Sequence, residues 1–185
     1  MLAATIRQVN DGRGADIIAL QEVENVAVLE RLRSEYLGDL GFLPAILVEG
    51  TDTRGIDVAF LSKLPPLGEA RLHPLHLPEF PDRQGDTRGV LQADFAMPDG
   101  SVLTGFSVHF PAPFHPTAMR ESAYEHLNAL RNALPDEHHV FAAGDFNTTS
   151  TEDQRERLLD RYARPAWTVA HEEVGCGDCQ GTHFY

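Results

Sequence analysis

The sequence predicts an α+β domain in which two sheets are covered by helices. Short apolar runs alternate with amphipathic helical stretches at both ends of the chain, and two predicted hairpins lie between them. Hairpins favour antiparallel pairing and alternation of strand and helix favours parallel pairing, so this order indicates mixed sheets with flanking helices. The 185 residues, of which 42% are hydrophobic, are enough for one domain with a sizeable core.

The first part of the chain contains two predicted helices and three predicted strands. Apolar residues at helical spacing, up to the turn at 11–14, predict the first helix, and the apolar run over 15–20 predicts a buried strand. Asn25 is a suitable N-cap for a second helix with one apolar side, which ends near residue 38. Two apolar segments around a turn-rich stretch predict a hairpin of 43–49 with 56–62.

A Pro-rich, partly irregular stretch over 65–83 precedes a second hairpin, whose strands 90–97 and 101–110 flank a turn containing Asp99 and Gly100. The remaining predicted elements are a helix over 117–134, a strand over 138–143, a helix over 152–161 and an irregular tail from Ala163.

Charge limits the classes of partner. The chain has 15 Lys and Arg residues against 28 Asp and Glu residues, a net charge of −13, so its surface as a whole repels phosphate polyanions. No basic groove is evident, and nucleic-acid binding would rely on local contacts. No apolar stretch predicts a membrane span and no export signal is recognisable, which leaves the cellular location open.

The two cysteines, Cys176 and Cys179, stand in the sequence GCGDCQG. A Cys-x-x-Cys pair is compatible with a redox centre, half of a zinc site, a local disulfide or two inert thiols. The thioredoxin-like context that a redox centre needs is missing, and a zinc site needs two further ligands. A disulfide or inert thiols are therefore favoured.

Three predicted strands end in polar residues. The first ends at Glu22, another at His109, and a third is followed by Gly144, Asp145 and Asn147. Gly, Asp and Asn are common turn residues, so this third group alone indicates a turn. Together, however, the three strand ends offer carboxylates for a hard metal ion and for water, an amide that can position water, and an imidazole.

These residues stand in four motifs, ADIIALQEVEN, RGIDVAFLSK, SVHFPAP and AAGDFNTT. In order and spacing, across nearly the whole chain, the motifs resemble those of the endonuclease/exonuclease/phosphatase superfamily, the DNase I-like metal-dependent phosphoesterases. The resemblance implies a four-layer αββα sandwich, with the site at the strand ends between two packed sheets.

The resemblance also implies residue roles. Glu22 would bind Mg²⁺ or Mn²⁺, while Asp145 and Asn147 would position and activate the attacking water. His109 would stabilise the charged transition state or assist the leaving group. Arg88 falls where the family often has an arginine near the phosphate, with a solvated charge at a strand edge as the alternative.

Other polar residues are weaker candidates. Asp57 matches a recurrent aspartate of the central hairpin, and burial beside a strand makes a structural role equally plausible. His73 and His76 are a poor metal pair because the proline between them prevents a regular helix. Arg120 and His126 lie on a predicted helix, where we expect solvated or rim positions.

The chain also departs from the family pattern at both ends. Members open with a strand that carries an asparagine and close on strands that carry an aspartate and an Asp-His pair, whereas this chain opens with a helix and closes on GTHFY. His183 follows Thr182 and so lacks the aspartate partner. We therefore expect 1–185 to be a single but incomplete domain, with exposed strand edges that favour self-association and little activity in isolation.

The predicted function is metal-dependent hydrolysis of phosphodiester bonds, by a nuclease or a related phosphodiesterase. Such a reaction needs charge neutralised on phosphate oxygens and an in-line water, which Mg²⁺ and these side chains would supply. Two alternatives remain: a noncatalytic remnant that binds an ion or a partner, and a phosphoesterase acting on lipids or small molecules, because fold does not fix substrate.

Overall fold

The computed structural model of the protein describes residues 1–173. Cys176, Cys179 and His183 lie outside the described residues, so the predictions made for them stay predictions. In the described part, the chain forms the two predicted sheets with helices against each of them.

Each sheet is formed by segments that are close in sequence. The first sheet has the order β1-β3-β2 and consists of β1 (Ile17–Val23), β2 (Ile46–Leu47) and β3 (Asp57–Ser62). The second sheet has the order β4-β5-β6-β7 and consists of β4 (Arg71–His73), β5 (Val90–Ala96), β6 (Val102–His109) and β7 (His139–Asp145). Both predicted hairpins form, as β2 with β3 and β5 with β6.

Mixed pairing is confined to the second sheet. Its strand β7 runs parallel to β6, because the helix between them carries the chain back to the starting end of the sheet. All pairs of the first sheet are antiparallel within residues 1–173.

The helices are α1 (Leu2–Gln8), α2 (Val26–Arg31), α3 (Thr117–Asn132), α4 (Ser150–Glu156) and α5 (Ala170–Glu173). Asn25 caps α2 as predicted, with its side chain accepting a hydrogen bond from the Val28 N–H. The predicted helix over 152–161 is wrong as a single element. Arg157 adopts a left-handed conformation with φ of 55°, which ends α4 and separates it from a π-helical turn at Leu159–Ala163.

Three apolar clusters define the four layers. Between the sheets, Phe60 of β3 packs edge-on against Phe95 of β5, with ring centroids 5.7 Å apart. On the other side of β3, Leu61 packs with Ile6 of α1 and Leu29 of α2. A third cluster joins the second sheet to α3; its members include Val90, Phe106, Val108, Met119, Tyr124 and Leu127. The order helix, sheet, sheet, helix confirms the αββα sandwich.

Four strands have one unpaired edge within the described residues, namely β1 and β2 in the first sheet and β4 and β7 in the second. β1 pairs only with β3, and β7 pairs only with β6, while β1 and β7 contact each other across the sandwich. An open, mainly apolar cleft of about 290 Å³ follows these edges; it is lined by Thr5, Ile6, Val9, Ala15, Ile17, Ile18, Ala19 and Ala143.

Within residues 1–173, no helix combines the length and the apolar character that crossing a membrane requires.

The solvated position predicted for Arg120 is wrong. Its side chain is 1% exposed and forms an ion pair with Glu152, with the Nε donating to Oε2 at 2.9 Å. Its Nη1 also donates to main-chain oxygens of the loop between β6 and α3. His126 is half-buried, and its Nε2 has no hydrogen-bond partner among the described residues. The helical pattern placed these polar residues outside the core because it carries no information about long-range ion pairs.

Replacing Arg120 by Ala should lower the free energy of unfolding by about 3–5 kcal/mol, because it leaves the buried Glu152 carboxylate without its partner. Chemical denaturation measures the change. Arg155→Ala is the matched control: its ion pair with Glu156 is 66% exposed on the arginine side, so we expect a loss of about 0–1 kcal/mol. Equal losses in the two variants would contradict the assignment of a buried pair.

The unpaired edges of β1 and β7 should promote self-association, because main-chain N–H and C=O groups on such edges can pair with a second copy of the chain. We expect the weight-average mass in sedimentation experiments to rise over an approximately hundredfold increase in concentration. A monomer at every concentration would contradict this expectation.

Candidate active site

A β-bulge positions Glu22 at the end of β1. The pairing register shifts between Leu20, opposite Ala59, and Val23, opposite Asp57, so two residues stand where one would fit. Glu22 has a φ of 58°, a left-handed conformation that is uncommon for a residue other than glycine. Bulges re-aim side chains near functional sites, and this one leaves the Glu22 carboxylate exposed.

Parallel pairing brings His109 and Asp145 to the same edge of the second sheet. The two residues are direct partners in the register of β6 with β7, and His109 Nε2 lies 3.8 Å from Asp145 Oδ2. The approach depends on Gly144, whose φ is 143°: a Cβ there would lie 2.0 Å from the Val108 carbonyl oxygen. Only glycine fits that space.

The residues after β7 form a turn that is also part of the site. Asp145 Oδ1 accepts a hydrogen bond from the Asn147 N–H at 2.9 Å, and Asn147 has a left-handed φ of 49°. The Asn147 amide donates through Nδ2 to the Phe110 carbonyl at 2.8 Å. This segment therefore does form the turn that its composition indicated. The turn holds the side chains of Asp145 and Asn147 beside His109. Asp145 keeps 54% of its side chain exposed.

His109 is buried among charged groups. Burial lowers the pKa of its imidazole, Asp145 and Glu22 oppose that shift, and Arg54 adds to it. The imidazole is thus predominantly neutral at neutral pH, and Nε2 can still donate a hydrogen bond. Its Nδ1 is buried and has no hydrogen-bond partner among residues 1–173.

Arg88 is not a solvated charge at a strand edge. Its side chain is 4% exposed, and Nε lies 2.9 Å from Oδ2 of Asp52, whose side chain is 1% exposed. Asp52 also accepts two hydrogen bonds from the Arg54 guanidinium and one from the Arg54 main-chain N–H. One buried carboxylate therefore holds two arginines beside the site. Contact of Arg88 with substrate stays a prediction.

Sequence reasoning missed Asp52 and Arg54 because they belong to the turn-rich stretch between β2 and β3. An aspartate that bonds the main chain two residues later is a turn signal, and nothing local reveals the distant Arg88. Asp57 has a structural contact: its Oδ1 accepts the Gly50 N–H at 2.8 Å. Burial raises the pKa of the Asp57 carboxyl, and that hydrogen bond partly opposes the rise.

The residues available for a metal ion are few. The described residues contain no group of three or more His, Cys, Asp or Glu side chains able to hold one. His73 is engaged with Gln92, at 3.0 Å between Nε2 and Oε1, and so does not support a metal pair. Glu22 and Asp145 provide exposed carboxylate oxygens, and Mg²⁺ commonly binds through one or two carboxylates while retaining several waters. This donor set fits such an ion.

A four-layer sandwich with carboxylates, an amide and an imidazole at its strand ends defines the class of DNase I-like phosphoesterases. The chain belongs to the Endonuclease/Exonuclease/phosphatase family, whose model matches residues 1–185. No curated protein matches the chain in sequence.

Solved structures of this superfamily share the fold at low sequence identity. D. rerio TDP2 complexed with a single-strand DNA product has 17% identity and a TM-score of 0.60, over 83% of this chain and 55% of that chain. ANGEL2, a 2′,3′-cyclic phosphatase, in complex with adenosine-2′,3′-vanadate, has 14% identity and a TM-score of 0.60, over 84% and 46%. The human Nocturnin catalytic domain with bound sulfate has 13% identity and a TM-score of 0.56, over 88% and 60%. The chain thus spans 46% to 60% of these structures.

Gly144→Ala should destabilise the protein by about 2–6 kcal/mol, because the new methyl group meets a main-chain oxygen and the backbone angle disfavours a side chain. Gly100→Ala is the matched control: Gly100 has a φ of 86°, but a Cβ there meets nothing within 4 Å. We expect the free energy of unfolding of Gly100→Ala to fall by only about 1–2 kcal/mol, which is the cost of a side chain at a positive φ. Denaturation curves of both variants check this, and a tolerated Gly144→Ala would contradict the close approach of β6 and β7.

Stability should fall as the pH drops below the ordinary histidine pKa of 6.5, because burial lowers the pKa values of His109, His115 and His126. Between the folded-state pKa and 6.5, the unfolded chain binds more protons than the folded chain, so acidification favours unfolding. His126→Phe removes one of these groups. We expect its loss of stability between about pH 7.5 and about pH 5.5 to be smaller than that of the unmodified protein. If the stability of His126→Phe and of the unmodified protein changed equally with pH, the lowered pKa assigned to His126 would be contradicted.

Proposed function

We propose that this chain carries the catalytic site of a metal-dependent phosphodiesterase that cleaves nucleic acid, with water activated by Asp145 and Mg²⁺ or Mn²⁺ bound at Glu22. The observation that carries the proposal is the convergence of His109, Asp145 and Asn147 at the paired ends of β6 and β7. Glu22 approaches the same region from the other sheet: the Nε2 of the preceding Gln21 lies 3.5 Å from Ser107 Oγ of β6, and the Glu22 carboxylate opposes the lowering of the His109 pKa.

Asp145 is the proposed general base. Its Oδ1 is occupied by the Asn147 N–H, whereas Oδ2 is directed toward His109 at a distance too long for a hydrogen bond. Oδ2 can therefore accept a proton from water. Asn147 has no acid–base chemistry, so it acts by geometry: its bond to Phe110 fixes the amide, whose remaining N–H and Oδ1 can orient water or substrate.

We propose that His109 stabilises the negative charge of the transition state while its own imidazole stays neutral. A neutral imidazole in a buried position can donate an Nε2–H hydrogen bond to a nonbridging phosphate oxygen as negative charge develops there. A divalent ion at Glu22 would neutralise phosphate charge and lower the pKa of a bound water. The carboxylate of Glu22 contributes the hard oxygen ligand that such an ion prefers.

Nucleic acid is the favoured substrate for two reasons. D. rerio TDP2 was solved with a single-strand DNA product, and ANGEL2 with an adenosine derivative. Three arginines also lie close to the site, although the whole chain has a net charge of −13. A lipid or small-molecule phosphoester is the alternative substrate. The Nδ1 of His109, which has no hydrogen-bond partner within residues 1–173, favours a second alternative, a noncatalytic domain that retains the fold and binds an ion or a partner.

Asp145→Ala should lower the rate of phosphodiester hydrolysis at least about hundredfold, the usual effect of removing a positioned base. The assay compares single-stranded DNA, sphingomyelin and an aryl phosphodiester, each with Mg²⁺ or with EDTA. It uses the 185-residue chain and any longer natural chain that contains it. Asp99→Ala is the matched control, because Asp99 lies in the turn between β5 and β6 and bonds only to Ser101.

Unchanged hydrolysis in Asp145→Ala would contradict the proposed base. Cleavage of sphingomyelin but not of DNA would select the lipid alternative. No hydrolysis by either chain, combined with ion or partner binding, would select the noncatalytic alternative.

A further inference from the structure

A second cleft of about 280 Å³ lies beside the candidate active site. Three irregular segments form it: the turn before β3, the 3₁₀ turn at Pro81–Asp86, and the loop between β6 and α3. Its volume is close to the lower limit of small-ligand sites, about 300 Å³. Its polar walls are formed by arginines, and its rim carries an aromatic side chain. We call it the arginine cleft.

The charges of the arginine cleft suit an anion. Arg54, Arg83 and Arg88 line it, and two carboxylates face them: Asp52 pairs with Arg54 and Arg88, and Asp86 pairs with Arg83. Three positive groups against two paired carboxylates leave an excess of one positive charge within the cleft, which the Glu22 carboxylate offsets in part through its effect on Arg54, in a strongly acidic protein.

Arg88 shows that this charge is poorly satisfied by the protein alone. Its Nε is ion-paired with Asp52 Oδ2 at 2.9 Å, but the guanidinium makes no hydrogen bond of good geometry to any residue of 1–173. Buried N–H groups without a hydrogen bond are costly unless a ligand or water completes them. A phosphate group matches both the geometry and the charge of a guanidinium.

The arginine cleft adjoins the residues proposed for catalysis. Arg54 influences the pKa of His109, and Glu22 in turn influences that of Arg54. Arg54 also acts on His115, which lines the cleft as well. One lining arginine is therefore near both the proposed reaction centre and the cleft, as expected if one ligand occupies both.

Phe114 adds a surface for an aromatic ring. Its side chain is 82% exposed, which is unusual for a phenylalanine, and its ring centroid lies 4.2 Å from that of His115. The loop that carries Phe114 is held in place by Arg120, whose Nη1 donates to the carbonyls of Pro111, Ala112 and His115 at 3.1, 2.7 and 3.3 Å. An exposed aromatic on a fixed loop is a suitable stacking platform for a base.

We infer that the arginine cleft binds a backbone phosphate of single-stranded nucleic acid through Arg54 and Arg88, and that Phe114 stacks an adjoining base. The inference rests on the proposed function, since it names the substrate class and its contacts beside the same site. A single strand is required because the bases of a duplex are stacked on each other and do not present a free face to Phe114.

The test measures binding without turnover, so that it is independent of catalysis. Fluorescence anisotropy in EDTA at low, fixed salt follows a labelled single strand of about eight nucleotides and an abasic strand of the same length. The variants are Phe114→Ala, Phe114→Trp and Arg54→Gln. Two variants serve as matched controls. Tyr36→Ala removes an aromatic side chain that is 52% exposed, and Arg31→Ala removes an arginine that is 69% exposed; both residues lie in or near α2. Thermal unfolding confirms that each variant is folded.

Phe114→Ala should weaken binding of the base-containing strand about fivefold or more, and Phe114→Trp should restore it. Binding of the abasic strand should be unaffected by Phe114→Ala and weakened by Arg54→Gln. The controls should bind like the unmodified chain.

Equal binding by Phe114→Ala and the unmodified chain would overturn the stacking contact, and equal binding by Arg54→Gln would overturn the phosphate contact. Tighter binding of a duplex than of a single strand would overturn the choice of ligand. Binding and catalysis are measured separately. If the unmodified chain hydrolyses DNA but these variants do not change binding, the inference alone is rejected. If the chain binds as expected but does not hydrolyse DNA, the proposed catalysis alone is rejected.

Discussion

The arrangement of the site depends on the close parallel pairing of β6 with β7. At Gly144 the two backbones approach so closely that a Cβ would lie 2.0 Å from the Val108 carbonyl oxygen. Because the strands end level, His109 and Asp145 become direct register partners, and the chain turns immediately afterwards through Asn147. β6 also pairs along its length with β5, so the histidine stands on a central strand rather than on a mobile edge. His109 thus stands on a rigid central strand, whereas Asp145 stands on the edge strand β7 and is held by the turn that follows it.

Two buried ion pairs extend this rigidity to the loops around the site. Arg120 with Glu152 fixes the loop after His109, and Arg88 with Asp52 fixes the turn before β3. A buried pair gives little net stability compared with an apolar pair of the same volume, because both charges lose their hydration. For Arg120 the contribution is geometric, since a guanidinium has several donors in one plane and here holds three carbonyls at once. Apolar side chains would stabilise these loops without fixing the direction of their main-chain groups.

Local patterns predicted six of the seven described strands and the polar strand ends, because apolar periodicity reports burial directly. The short strand β4 was missed, since it lies in the stretch over 65–83 that was expected to be partly irregular. Neighbouring residues cover β3 on both faces, so its central residues 58–61 form a continuous apolar run that is easily recognised. The strand-end residues were found for the same reason: a carboxylate after a buried run is conspicuous. Arg120 and the pair of Asp52 with Arg88 were missed because their partners are more than 30 residues away in the chain. The break after α4 was missed because Arg157 gives no sign of its left-handed backbone.

The net charge of −13 and the arginine cleft act over different distances. At physiological salt, charges separated by more than about 8 Å are largely screened, so the acidic surface matters mainly where a ligand lies close to it. A duplex carries two backbones and one charge per about 1.7 Å of axis, so docking it brings many phosphates near acidic residues for each one that reaches an arginine. A single strand can bend and place one phosphate in the cleft while its neighbours remain in solvent. The charge distribution that disfavours broad polyanion binding is therefore consistent with the flexible, single-stranded ligand that we propose.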